Sequence, residues 1–384
     1  MMNVKSIRIL LLEVGGSHDE VLLSWYRDLK SMDAEVYVAC PAHVWKRLAI
    51  TDAADWLMAH AAGGFFKRLK TIFRIRRFVN KSSITHIVLN TASGTTLRDI
   101  SVMLPRRCVV IGTLHDASKL AESFNQSVTT RNVSAYTVLA PYLLDLVPAA
   151  FPKPVAVVTA TAAEPRYRET SRMVHERSTG RLVDRYGSGG ANGPLCVVIA
   201  GGINWLRRDY DSLFTADGFM RLGTNLRFVL AGGADPEDVP RLQQMLALAP
   251  PGMIEVHDEY IPHDTYARMI SEADVVLPLT HPACRDYNQY VRSRITGAMS
   301  SAWTYAKPLM LERGFQKHTS LATSIFYDAS ALPDMLRTYS HDRSLLAPYA
   351  VTPVFATDDV RRATIVELLT KRSSIDQFAK SERS

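Results

Sequence analysis

The pattern that most constrains this chain is a recurrence of short, almost uninterrupted apolar runs. Each ends in glycine or a small polar residue and leads into a stretch of helical periodicity. The first, residues 7–14 (IRILLLEV), stops at Gly15-Gly16 and is followed by SHDEVLLSWYRDLKSM and then by residues 35–40 (EVYVAC). A strand that is apolar on both faces must be covered on both. Strands of this kind alternating with amphipathic helices therefore predict a parallel sheet between two helix layers. Runs at 86–91, 108–115, 135–140 and 154–160 extend the same sheet.

Between residues 166 and 194 the pattern gives way to a polar, charged stretch ending in GSGGANGP, and beyond it the alternation restarts. Strands are expected at 195–202, 226–233, in MIEVHDE, at 273–280, in PLMLERG and in SIFYDA. Helices are expected from about Asp209, from about Pro236, around 263–271, over 290–305 and over 357–371. A chain of 384 residues, at roughly 150 per domain, accommodates two such units. The reading is residues 1–165 as one doubly wound domain, 166–194 as a linker and 195–354 as a second, with residues 355–384 ending the chain as a helix. In doubly wound sheets ligands bind at the carboxyl ends of the strands, so two such sheets are expected to face a shared cleft.

Several function classes lose their footing early. No apolar stretch approaches the roughly 20 residues needed to span a bilayer, and the amino terminus runs straight into a strand-like segment instead of a cleavable apolar region. A cytoplasmic location follows as the expectation. Cys40, Cys108, Cys196 and Cys284 lie far apart and read as buried thiols, not as a metal site or a disulfide framework. GxSxG, HExxH, CxxC and paired-carboxylate signatures are absent.

The net charge of +7 points to an anionic partner. Its placement is specific, because residues 65–81 hold seven cations (Lys67, Arg68, Lys70, Arg74, Arg76, Arg77, Lys81) and no Asp or Glu. Lys67, Lys70, Arg74, Arg77 and Lys81 recur at spacings of three and four, with Phe65, Leu69, Ile72 and Phe73 assigned to the opposite side. A cationic amphipathic helix of this kind can lie on anionic lipid, or pack its apolar side on the sheet and leave a solvated basic face. Nucleic acid is disfavoured, since no aromatic stacking motif accompanies it.

Three glycine pairs follow strands: Gly15-Gly16, Gly201-Gly202 and Gly232-Gly233. Such pairs let backbone amides approach a phosphate near a helix N-terminus, or simply make a tight turn. Arg207 and Arg208 fall at an expected helix start, where a cation is unfavourable unless it faces an anion. Guanidinium forks suit a diphosphate. Asp209-Tyr210-Asp211 spells DxD, a pattern that can hold a divalent metal, but here a helix cap is the preferred reading. The segment 281–294 (HPACRDYNQYVRSR) combines Arg285, Arg292 and Arg294 as anion contacts with Tyr287, Asn288 and Gln289 as sugar or base contacts. His115-Asp116 ends an apolar strand, where an imidazole can orient a hydroxyl or move a proton, or else cap the next helix. His18, just after Gly15-Gly16, is a second candidate of the same kind.

Taken in order, the Gly15-Gly16 strand, the strand ending in His115-Asp116, GGINWLRRDYDSL, NLRFVLAGGAD, and SEADVVLPL followed by GAMSSAWTYAKPLM resemble the landmarks of GT-B glycosyltransferases. The likeness is closest to the retaining group that uses nucleotide sugars. The resemblance implies an α/β GT-B fold of two Rossmann-like doubly wound parallel-sheet domains facing a shared cleft, with the C-terminal helix of residues 355–384 crossing back to the first domain. It also implies transfer of a sugar from a nucleoside diphosphate sugar, UDP-sugar foremost, to a lipid-linked or saccharide acceptor in surface polysaccharide biosynthesis. Under it Gly201, Gly202, Arg207, Arg208, Gly232, Gly233, Tyr287, Asn288, Gln289, Arg292 and Arg294 bind the donor, and Gly15, Gly16 and His18 bind the acceptor. His115 and Asp116 act at the reacting hydroxyl, and no metal or other cofactor is needed. Lys67, Arg68, Lys70, Arg74, Arg77 and Lys81 dock the protein on the inner face of the plasma membrane. Where that group carries two glutamates eight positions apart, this chain has Gln289 and Gly297. A non-catalytic GT-B-like glycan-binding or partner subunit, and a sugar-nucleotide epimerase, stand as the alternatives.

Overall fold

The structure is a computed structural model. It describes residues 7–15, 18–48, 50, 52–59, 65–120, 123–161, 193–257 and 261–370. The expected linker, up to residue 192, Gly16 and the residues after Thr370 lie outside the described residues. The chain divides into two compact units, residues 1–162 with 355–384, and residues 163–354.

The first unit is built on a seven-stranded, wholly parallel sheet. Its strands are β1 (Arg8–Leu12), β2 (Glu35–Cys40), β3 (Asp55–Met58), β4 (His86–Leu89), β5 (Val109–Leu114), β6 (Ala135–Val138) and β7 (Val155–Val157). They lie in the order 3-2-1-4-5-6-7. The centre, β1, pairs with β2 on one side and β4 on the other, so the chain reverses its direction of travel across the sheet between β1 and β4. Ile9, Leu10, Leu11 and Leu12 are all fully buried, which is why that run has no polar alternation. Helices α1 (Asp19–Ser31), α2 (Ala42–Leu48), α3 (Phe65–Lys81), α4 (Thr95–Met103) and α5 (Phe124–Asn132) make the connections. The edge strand β3 carries no expectation from the sequence. DWLM is too short and too exposed to show a period.

The second unit repeats the topology. Strands β8 (Leu195–Ala200), β9 (Leu226–Ala231), β10 (Ile254–Val256) and β11 (Val275–Val276) form a parallel sheet in the order 10-9-8-11. A single bridge from Val276 to Leu309 joins it to the parallel pair β12 (Met310–Glu312) and β13 (Ile325–Tyr327). The helices here are α6 (Ala216–Leu222), α7 (Val239–Leu248), α8 (His263–Glu272), α9 (Tyr287–Arg292), α10 (Gly297–Thr304) and α11 (Leu332–His341). The core gathers Val197, Ile199, Phe228, Leu230, Leu277 and Tyr327.

Two sequence expectations are corrected in this unit. The helix expected over 290–305 is two helices, because Arg294 N–H closes back on the Gln289 carbonyl (2.9 Å) and Thr296 Oγ1 caps a new helix by accepting from Met299 N–H (3.3 Å). The helix expected from Asp209 is only a 3-10 turn over Tyr210–Ser212. The α-helix begins at Ala216 under a Thr215 cap.

The last helix, α12 (Asp358–Thr370), packs on the first unit. Arg361, fully buried, donates from Nε to Asp28 Oδ2 on α1 (2.9 Å), and its Nη2 pairs with Asp28 Oδ1. His86 Nε2 donates to the Leu369 carbonyl (3.1 Å).

Candidate functional site

Each unit presents a polar cluster at the carboxyl ends of its central strands, next to the reversal in strand order. In the first unit the centre is Glu13, which ends β1 and is buried. Its Oε1 accepts from Gly15 N–H (2.5 Å), and its Oε2 accepts from Asn90 Nδ2 (2.8 Å) and Thr91 Oγ1 (2.9 Å). Asn90 also donates to the His18 carbonyl (3.0 Å). One carboxylate thus ties the turn after β1 to the turn after β4. A Cβ at Gly15 would stand 2.9 Å from Glu13 Oε1 and so push on the carboxylate that its own N–H holds. Glu13 was missed in the sequence because it hides inside an apolar run. A carboxylate closing a buried strand was the available signal.

His18 and His115 are brought together. Their rings stack with centroids 3.5 Å apart and planes at 21°. His18 holds a left-handed backbone (φ 66°) at the start of α1, an uncommon conformation for a residue with a Cβ. His115 Nε2 lies 2.8 Å from the Asn90 carbonyl, which can only accept. Nε2 therefore carries the proton and Nδ1 the lone pair. Burial, and then the charge of His18, push the His115 pKa down, so it stays neutral. Burial also opposes protonation of His18, but the hydrogen bond and charge of Glu20, with Glu13 and Asp19 adding, outweigh it and raise its pKa. The pair is split electrostatically, His18 shifted toward its charged form and His115 toward its neutral form. Asp116 does local work: its Oδ1 accepts from Ser118 N–H (3.1 Å) and Ser118 Oγ (2.6 Å), capping the 3-10 turn that follows. Gly16 lies outside the described residues.

In the second unit the glycine pairs serve each other. A Cβ on Gly232 would stand 2.5 Å from the Gly201 carbonyl, and Gly201 itself has φ 99°. Ile203 N–H donates to the Gly233 carbonyl (2.9 Å), so the turns after β8 and β9 run backbone to backbone. Gly202 is exposed at the tip of its turn.

Arg207 and Arg208 part company. Arg208 folds back over Gly201, its Nη2 donating to the Ala200 carbonyl (2.6 Å) and its Nη1 to the Gly202 carbonyl (2.8 Å). Arg207 turns outward, is 51% exposed, and its Nε lies 3.6 Å from Asp286 Oδ2. Arg285, 58% exposed, meets the other oxygen of the same carboxylate at 3.5 Å.

Asp209 does not cap, contrary to the sequence expectation. Its Oδ2 accepts from His281 Nδ1 (2.8 Å), and His281 Nε2 lies 3.0 Å from the Tyr327 hydroxyl. The His281 hydrogen bond holds the Asp209 carboxyl below the usual range, against burial. Burial drives the Tyr327 phenol well up. Asp211 is committed elsewhere, accepting from Trp205 Nε1 (3.2 Å) and pairing with Arg241. The two carboxylates of the DxD therefore have separate partners. Among the described residues no cluster of three His, Cys, Asp or Glu is placed to hold a metal. Asp209 N–H donates to the carbonyl of Leu279 (3.0 Å), a buried leucine held at φ 55°. Such a conformation costs about 1–3 kcal/mol and persists only where the surroundings impose it.

Tyr287 donates its hydroxyl to Glu312 at the end of β12, and Gly314 N–H donates to the same Oε2 (2.7 Å). Desolvation and then that carboxylate push the Tyr287 phenol up. Asn288 and Gln289 are exposed on α9, Arg292 is exposed at its end, and Arg294 is half-buried in the turn beyond.

Helix α3 differs from expectation. Ile72, Ile75 and Val79 are its buried stripe, while Phe73 is 52% exposed and Phe66 83% exposed. The Phe65 side chain lies outside the described residues. Phe66, Leu69 and Phe73 line a shallow groove of about 460 Å3 together with Lys70, Arg74 and Arg77. Lys67 and Lys81 are exposed, and Arg68 pairs with Asp99 of α4 (3.6 Å).

No protein-family model matches the sequence, and no curated protein matches it. Solved structures match nearly the whole chain. HepE of Anabaena, solved in complex with UDP and glucose, is 14% identical with a TM-score of 0.62, covering 95% of this chain and 99% of its own. A glycosyltransferase of Rickettsia africae is 12% identical with a TM-score of 0.63, over 96% and 99%. The fold is GT-B. UDP-GlcNAc 2-epimerase of Neisseria meningitidis, bound to UDP-GlcNAc, is similar at 11% identity and a TM-score of 0.61, over 95% and 100%. The GT-B fold is thus shared by transferases and an epimerase at nearly equal likeness. The strand order found in each unit, with its reversal beside β1 and beside β8, puts the polar clusters where ligands of Rossmann-like sheets bind.

Proposed function

We propose that this chain is a nucleotide-sugar-dependent glycosyltransferase. It takes a hexose from a UDP-sugar or a related donor and passes it to a lipid-linked or saccharide acceptor in surface polysaccharide assembly. The observation that carries the reading is the match over 95% of the chain to a protein holding UDP and glucose. In this reading the second unit holds the donor near Gly201, Gly202, Gly232, Gly233, Tyr287, Asn288, Gln289 and its arginines. The first unit receives the acceptor near Gly15, Gly16 and His18.

The chemistry asked of these residues is positioning and charge stabilisation. The bond from the anomeric carbon to the diphosphate breaks, a bond to the acceptor oxygen forms, and the acceptor proton goes to His115 Nδ1. That nitrogen suits the role because its ring is neutral and its tautomer is set by Asn90. Asp116 supports the turn that carries His115. Arginine side chains neutralise the departing diphosphate. A metal is not invoked, because Asp209 and Asp211 are already occupied by His281, Trp205 and Arg241.

The outer face of α3 supports docking on an anionic membrane, which would keep the enzyme beside a lipid-linked acceptor at the inner leaflet. Exposed phenylalanines between lysines and arginines suit the interface of headgroup and acyl chain. Among the described residues no helix is long and apolar enough to cross a membrane.

The test is a melting-temperature series with UDP-, GDP-, ADP- and dTDP-sugars, followed by product analysis with the sugar that shifts it, since a ligand of the folded state raises Tm. A shift with one nucleotide, followed by transfer or slow donor hydrolysis, supports the reading. Interconversion of free UDP-sugar would favour the epimerase reading, which the likeness to the Neisseria enzyme keeps in play. No shift with any nucleotide would favour a non-catalytic subunit.

A further inference from the structure

One amide holds both histidines of the first unit. Asn90 donates from Nδ2 to the His18 carbonyl (3.0 Å), and its own carbonyl accepts from His115 Nε2 (2.8 Å). Asn90 is itself pinned, by Glu13 Oε2 on its side chain (2.8 Å) and by the Leu12 carbonyl on its N–H (2.9 Å). The His18 carbonyl also accepts from Leu22 N–H in α1 (3.2 Å). Neither backbone can draw away from the other, and the rings they carry stay stacked at 3.5 Å.

Two imidazolium rings at that separation are like charges in contact, and groups coupled so closely lose their protons in steps that belong to the pair. The surroundings decide which ring holds the first proton. Anions gather on His18: Glu20 Oε1 lies 3.6 Å from its Nδ1, and Asp19 of α1 and Glu13 of β1 add their charge. The charge of Glu20 reaches His115 as well, but burial and a charged His18 outweigh it there. Asp116, beside His115, is turned onto Ser118, and Asn90 and Thr91 after β4 carry no charge. The His18 side chain is 37% exposed, so its proton exchanges with water.

We propose that His18 and His115 form a unit that holds one proton and not two, with His18 as the positioning residue that switches His115: only when His18 has released its proton to water does His115 Nδ1 keep the proton of the acceptor hydroxyl. This rests on the glycosyltransferase reading for the acceptor, but not for the one-proton limit. In the transfer the acceptor O–H bond breaks and its proton goes to His115 Nδ1. The acceptor oxygen bonds the anomeric carbon, and the diphosphate leaves with the electrons of its bond. A charged His18 opposes that step by repulsion across the stack. The acid side of the pH profile therefore belongs to His18, although His115 receives the proton.

The experiment follows the imidazole NMR signals of the histidine-labelled full chain from about pH 4 to 9. His18→Asn places a neutral residue that tolerates the left-handed backbone, and is expected to raise the His115 midpoint by about one pH unit or more. His18→Arg, planar and permanently charged, is expected to leave that midpoint low. His86, at the amino end of β4, is expected to titrate alike in every chain and so reports an intact fold. With a donor that raises Tm, kcat/KM is then measured against pH. The wild-type profile is expected to fall at the His18 midpoint and the His18→Asn profile at lower pH, at the His115 midpoint. A merely structural role for His18 would lower the profile without moving that limb. His18→Arg is expected to be about three- to tenfold slower near about pH 8, where the native His18 has lost its charge. A His115 midpoint unmoved by His18→Asn, or two rings that take protons independently, overturns the unit. A coupled pair whose acid limb stays in place in His18→Asn overturns the switch. Coupled titration in a chain that transfers sugar from no donor supports the one-proton unit and removes the transferase reading.

Discussion

The pairing of Arg361 with Asp28 decides whether α12 is part of the first unit or an appendage to it. Both side chains are buried, and the guanidinium meets both oxygens of the carboxylate, with Nη1 reaching Thr161 Oγ1 and Asp358 (3.3 Å). Arg361→Met keeps much of the apolar stem but leaves the Asp28 carboxylate in the interior without its counter-charge. Breaking a buried pair in this way costs about 3–5 kcal/mol, because the remaining charge keeps its desolvation penalty. Against a typical domain stability of about 5–15 kcal/mol, that is a large part of the total. Urea unfolding followed by near-ultraviolet circular dichroism would read it as a lower midpoint. The Asp28→Leu/Arg361→Met double variant should recover most of the loss, since replacing both charges with apolar groups is often neutral or stabilising. A single variant that loses less than about 1 kcal/mol, or a double variant no better than the single, would refute the claim that this pair fastens the helix.

Other consequences follow from the same geometry. Gly232→Ala would drive a Cβ to 2.5 Å from the Gly201 carbonyl, and should destabilise the second unit by roughly 1–3 kcal/mol in thermal unfolding. His86 and His115 both have pKa values below the usual histidine value in the folded state, chiefly through burial. As pH falls below about 6.5 the unfolded chain binds protons that the folded chain refuses, so stability drops, by up to about 1.4 kcal/mol per pH unit for each group. His18, raised, opposes this: its contribution is present below that value and is lost as pH rises through its folded pKa. His115→Asn should therefore flatten the acid side of the stability profile measured between pH 5 and 7. Replacing Lys70, Arg74 and Arg77 with Gln should cut partitioning onto phosphatidylserine vesicles by about 100-fold at low salt, at about 1 kcal/mol per cation. Phe66→Ser with Phe73→Ser should lower it further at high salt, where only apolar insertion remains.

The fold was legible because its strands are buried on both faces, and burial writes itself into a sequence as unbroken apolar runs. Residues 7–14 and 195–200 could hardly be read otherwise, and the glycine pairs marked their ends. Short elements at the edge escaped. DWLM is half-exposed on both sides and has no pattern to detect, and the break between α9 and α10, marked in the sequence only by the poor helix formers Ser293, Thr296 and Gly297, rests on the Thr296 cap. On α3 the helix and its charge were plain, but its two apolar stripes could not be told apart. Periodicity places Phe73 and Ile72 on neighbouring positions of the cylinder, and only the packing of Ile72, Ile75 and Val79 shows which stripe is inward.

The candidate site was legible to residue type and illegible to direction, and the arginines show why. Arg207 and Arg208 are adjacent, so about 100° of helical or turn rotation separates them, and sequence alone gives both the same claim on a diphosphate. What separates them is a contact with Gly201, whose missing side chain leaves room for the Arg208 guanidinium to lie across the turn and bond two carbonyls. The glycine read as an opening for a ligand is occupied by the neighbouring cation, and Arg207 is the one left facing out. The histidines follow the same logic. His18 and His115 are nearly a hundred positions apart, yet the reversal of strand order between β1 and β4 brings both to one edge of the sheet, where Asn90 fixes the tautomer of His115 and Glu20 raises the pKa of His18. Topology supplies the meeting. Buried carboxylates and amides such as Glu13 and Asn90, which look like interruptions of the apolar pattern, supply the orientation.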